Sequence, residues 1–70
     1  MKETTRILKE ALSHRVNIIS ESGGHTRATE GKVSGVHAGM VLVTVNHDGK
    51  SAIHQIAITT IVEIRVFTQT

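Results

Sequence analysis

The chain has 70 residues, with no cysteine, no proline and a single aromatic side chain, Phe67. That length makes one small domain, residues 1–70, and the missing thiols exclude disulfide staples and thiolate metal or redox chemistry. Eight Lys and Arg against six Asp and Glu leave a formal charge of +2 with no run of like sign, so net charge alone points to no polyanionic partner.

The first predicted element is a helix over about residues 3–13. Ile7, Leu8, Ala11 and Leu12 fall on one stripe of a helix, and Thr4 or Thr5 suits its N-cap. Three turns are marginal alone, so the helix needs a surface to lie on. From Arg15 onward the period drops to two and β-branched residues dominate. Val16 and Ile18 alternate with Asn17 in a first strand, and Ser22-Gly23-Gly24 signals a turn. Thr26–Val36 reads as a long second strand. Val33 and Val36 are three apart, and a bulge near Gly35 would put both inside. Met40–Val45 is a third strand, apolar apart from Thr44, and Asn46-His47-Asp48-Gly49 is the strongest hairpin signal. Ser51–Ile58 forms a fourth strand, Thr59-Thr60 a short break, and Ile61–Phe67 a fifth.

The expected fold is therefore mainly β: a small five-stranded bent barrel, with strands over about residues 15–67, behind an N-terminal α-helix. The last strand and the third or fourth are the expected free edges. Apolar edges are an aggregation hazard, and pairing them around a ring of identical copies would remove it and enlarge a small core. The longest apolar stretch, Met40–Val45, is broken by Thr44 and falls far short of the ~20 residues of a spanning helix. Lys2-Glu3 follows Met1 with no apolar segment behind it, which predicts no secretory signal. A soluble, cytoplasmic protein with no membrane partner is expected, and a chain this short predicts no enclosed catalytic cleft.

This arrangement resembles the Sm-like family, which includes Sm, LSm and Hfq proteins, over almost the whole chain. Gly31, Val33, Val36 and Met40 fit the apolar and glycine positions of the first Sm motif. Ala57-Ile58-Thr59-Thr60-Ile61-Val62 is similar to the second-motif stretch typical of Hfq. The motif's acidic position holds His37, its base-stacking aromatic position Gly39 and its Asn position Val41. In the second motif His54-Gln55 stand where Sm proteins carry Arg-Gly, with Ile56 where Hfq carries a histidine.

The resemblance implies a cyclic homo-oligomer of five to seven subunits that binds single-stranded RNA as a chaperone or scaffold. The pocket would be non-standard, because a uridine site needs a flat stacking face and polar groups at the base edge. Its candidate residues are His37, Gly39, His54 and Gln55, with Lys9 and Arg15 near the rim. Lys9 and Arg15 also suit a helix C-terminus on dipole grounds alone. The alternative is a protein-interaction or architectural ring without RNA binding, and a lesser one a monomeric barrel of Tudor or SH3 type. Those carry aromatic grooves, and Phe67 alone cannot build one.

Other sharp readings fail on spacing. His14, His25, His37, His47 and His54 show none of the three-to-five spacing of a metal pair, so they read as surface or loop histidines with no metal site. Copies of His37 or His54 brought together around a pore would instead make a pH-sensitive ring. The glycines open no helix followed by Lys-Ser/Thr, so the Walker signature is absent. Ser20 and Ser34 have no recognisable His and Asp partners, so no catalytic residue and no cofactor is assigned.

Overall fold

The computed structural model describes residues 2–67. Helix α1 spans Lys2–Glu10. Five strands follow, β1 (Arg15–Ser22), β2 (His25–His37), β3 (Met40–His47), β4 (Lys50–Ala57) and β5 (Ile61–Phe67), with a 3-10 turn at Ile58–Thr60 between the last two. All neighbouring strands are antiparallel, and the sheet order is β4-β3-β2-β1-β5. The fold is mainly β with one N-terminal helix. The expected free edges are β5 and, of the two candidates, β4.

Alternation along the strands sorts the residues. Val16 and Ile18 of β1, Val33 of β2, Val41 and Val43 of β3 and Ile56 of β4 are buried on one face, here called inner. Leu8 and Ala11 of the helix and Ile58 of the 3-10 turn join the same core. Thus Leu8, wholly buried, ties the helix to the sheet. Full burial of such a side chain contributes about 1.5–3 kcal/mol, which lets a helix of nine residues persist where isolation would melt it.

The helix ends earlier than its apolar stripe suggests. Regular helix stops at Glu10, and Ser13 takes a left-handed φ of 71°. The Ser13 amide then donates to the Val33 carbonyl at 2.9 Å, and the Val33 amide donates to the His14 carbonyl at 3.1 Å. Tertiary pairing with β2 overrides the local helical pattern, as it often does where propensity is weak.

The bend expected near Gly35 is present. The β2–β3 register shifts between Val33 and Gly35, leaving Ser34 as the extra residue. Val33 is buried and Val36 packs against the core, so the bulge brings both to the inner face. Gly31 lies two residues earlier on that face. A Cβ there would collide with the Thr44 carbonyl oxygen, so β2 approaches β3 this closely only because the position is glycine.

Three two-residue turns join consecutive strands, at Gly23-Gly24, Ala38-Gly39 and Asp48-Gly49, and both residues of each have positive φ. That is the signature of the tight turn whose twist matches paired strands. Among the described residues, no helix is long and apolar enough to cross a membrane.

Candidate functional site

Residues directly opposite in an antiparallel pair share a face. The inner positions of β1 continue past Val16 and Ile18 to Ser20 and Ser22, which oppose Arg27 and His25 of β2. On the far side, His54 of β4 opposes Val43 of β3 and so also belongs to the inner face. The buried inner surface therefore changes from apolar to polar where the β1–β2 hairpin runs on beyond the core.

There the chain forms an open cleft of about 550 Å3, lined by Ser20, Ser22, His25, Arg27, His54 and Gln55, among others. Met40, Ile56 and Ala57 give it an apolar floor, and Thr29 and Thr60 add hydroxyls. No carboxylate lines it, and no carboxylate pairs with Arg27 among the described residues. Thr60 is occupied structurally, its hydroxyl donating to the Ala57 carbonyl at 2.7 Å. What remains is one guanidinium, two imidazoles and serine hydroxyls, with Gln55, which opposes Leu42 and so starts on the other face, at the rim. Such a set donates hydrogen bonds to an anion and places no fixed negative charge against it.

The sequence-expected site residues divide between places. His54 and Gln55 line this cleft. His37 and Gly39 lie instead at the β2–β3 turn, where the Gly39 carbonyl accepts a hydrogen bond from the Ile58 amide at 2.9 Å. Lys9 is exposed on the last turn of α1. Arg15 starts β1 on the opposite face, where its guanidinium holds the Glu30 carboxylate at 2.5 Å. Val41 and Ile56 are buried in the core. Glu63 and Arg65 pair with each other on β5 at 2.7 Å.

Sequence reasoning missed Ser20, Ser22, His25 and Arg27. The signal was available in the alternation: positions 16, 18, 20 and 22 share one parity, so the hydroxyls had to follow the core valine and isoleucine onto the same face.

A second hollow, of about 620 Å3, lies on the outer face. It is bordered by His14, Arg15, Lys32, Asn46, Ser51 and Phe67, with Glu30 beside Arg15. Compared with known proteins, the chain is matched by no family model, no curated protein and no solved structure.

Proposed function

We propose that this chain is an Sm-like subunit that assembles edge to edge into a ring of five to seven copies and binds single-stranded RNA in the inner cleft. The observation carrying the binding is the carboxylate-free cleft lined by Arg27, His25 and His54, with Gln55 at its rim. An RNA phosphodiester offers acceptor oxygens and negative charge, which these donors complement. His54 and Gln55 lie beside the apolar floor of Met40 and Ile56, which suits the ribose and base.

Two sheet edges support the ring. Neither β4 nor β5 has an outer partner strand among the described residues. Each edge exposes a large aliphatic side chain, Ile53 on β4 at 64% and Val62 on β5 at 63%. Unprotected apolar edges of this kind are templates for strand pairing, and copies of one chain joined β4 to β5 form a closing, head-to-tail ring. One shallow cleft binds weakly. Several on one ring raise the effective concentration of the strand for each next cleft.

The test combines light scattering with titration of U6 and A6 oligoribonucleotides at two salt concentrations. The expected mass is five to seven times 7.6 kDa, with saturable binding that weakens as salt rises. Arg27→Ala combined with His54→Ala should weaken that binding and leave the ring mass unchanged. A ring that binds neither oligonucleotide would make this an architectural or protein-interaction ring. A monomer would end the Sm-like reading.

A further inference from the structure

The outer hollow takes no part in that reading, and its residues form a band across the whole sheet. Ser51 opposes Asn46, Thr44 opposes Lys32, Lys32 opposes Arg15 and Arg15 opposes Phe67. At ~4.8 Å per strand, a band crossing five strands runs about 19 Å. Its chemistry changes along its length. The β5 end carries the chain's only phenyl ring, Phe67, exposed by 41%. The middle carries Arg15 and Lys32, with His14 at the border, and the β4 end an amide and a hydroxyl.

The cations are not equivalent. Arg15 is held by Glu30, whereas no carboxylate pairs with Lys32 among the described residues. At the far end the Ser51 hydroxyl donates to Asn46 Oδ1 at 2.7 Å, which leaves the Asn46 amide nitrogen as a donor. The neighbouring Ser34 and Thr44 hydroxyls satisfy each other. An exposed aromatic face and an unpaired ammonium in one hollow match the two halves of a nucleotide. A base stacks on an aromatic ring with little regard to sequence, and a phosphate seeks the unpaired cation. The volume lies within the range of small-ligand sites.

We infer that this hollow is a second nucleotide site, which takes a nucleoside 5′-monophosphate unit with its base on Phe67 and its phosphate on Lys32. It needs neither the ring nor the inner cleft. Glu30 is a positioning residue with a cost to the ligand: it fixes Arg15, but it withholds that guanidinium and sets a negative charge beside the phosphate.

The experiment is an NMR titration of the purified protein with AMP and, separately, with the A6 oligoribonucleotide. Expected are shifts of the Phe67 ring protons and of the Lys32 and Asn46 amides. Shifts with AMP would identify a free nucleotide as sufficient, whereas shifts with A6 alone would identify the strand as the ligand. Phe67→Leu should weaken binding at least about fivefold, with Phe67→Tyr restoring it. Lys32→Ala should flatten the salt dependence of A6 binding by about 0.7 in log-log slope. Glu30→Gln should tighten binding, an outcome that a purely structural role for the ion pair does not produce and that remains readable if Phe67→Leu fails to fold. The inference is overturned if neither probe moves the Phe67 ring at millimolar concentration. It is also overturned if a folded Phe67→Leu or Glu30→Gln variant binds like the unsubstituted chain. A6 binding lost only with Arg27→Ala and His54→Ala would overturn it while leaving the inner-cleft reading intact.

Discussion

The inner cleft and the outer hollow are built on the same strands and differ by one residue of phase. Arg27 and Glu30 both belong to β2, yet Arg27 stands on the inner face among hydroxyls and imidazoles, and Glu30 stands on the outer face against Arg15. Among the described residues, the inner cleft holds no carboxylate and its arginine has no carboxylate partner, whereas the outer hollow holds an ion pair, a lysine without a carboxylate partner and a phenyl ring. A period of two therefore lets a thin sheet carry two surfaces of different chemistry with no insertion or extra element. The arrangement survives only while the register is fixed, because a slip by one residue exchanges the faces.

The largest expected effect comes from removing what fixes that register. Leu8→Ala deletes the helix's fully buried anchor and should cost about 2–5 kcal/mol, a large share of the stability of so small a domain. Urea unfolding followed by circular dichroism would measure it. A loss below about 1 kcal/mol would mean that the helix does not brace the sheet. Gly31→Ala comes next, at about 1–3 kcal/mol, because the added methyl must displace the Thr44 carbonyl. It should weaken ligand binding on both faces together, since β2 and β3 carry residues of both.

Charge substitutions separate the faces. Arg27→Ala and Glu30→Gln each alter one exposed side chain, so each should change stability by no more than about 1 kcal/mol. Their effects on binding should have opposite signs. Arg27→Ala loses an unpaired cation from the inner cleft and weakens RNA binding. Glu30→Gln releases Arg15 and strengthens nucleotide binding outside. Isothermal titration of both variants with A6 and AMP would check the contrast. Equal signs would show that the two surfaces act as one.

Much of the fold was legible because periodicity is a local property. The Val33 and Val36 spacing marked the bulge, and Asp48-Gly49 marked its turn, from residues a few positions apart. The 3-10 turn falls where Thr59-Thr60 interrupts the apolar run. The helix stop was not legible. It depends on a hydrogen bond from Ser13 to Val33, twenty residues away in sequence, and Ser13 carries no local mark of a left-handed residue. The candidate site divided in the same way. His54 and Gln55 were found through the resemblance. Arg27 and His25 reach them only because the β1–β2 hairpin continues past the core, and motif matching attends to single segments.

The smallest effect tests how tightly the hairpins hold this alternation. Of the three turns, Gly23-Gly24 and Asp48-Gly49 use residue types that tolerate positive φ, whereas the β2–β3 turn places Ala38 at φ 51°. A left-handed L-residue with a Cβ costs roughly 1–2 kcal/mol, and aspartate is better suited to it than alanine. Replacing Ala38 with glycine removes the strain but adds freedom to the unfolded chain, which returns about 0.4–1 kcal/mol of the gain. Ala38→Gly should therefore stabilise by about 0.5–1 kcal/mol, raising the melting temperature by roughly 3–6 °C. Ala38→Asn should gain without the full entropic offset. Both must be compared at one protein concentration, since assembly would itself shift the transition. Unchanged or lower melting temperatures in both variants would show that Ala38 is not strained. The β2–β3 turn would then hold its place through the Gly39–Ile58 hydrogen bond, and the register of the two faces would rest on that contact.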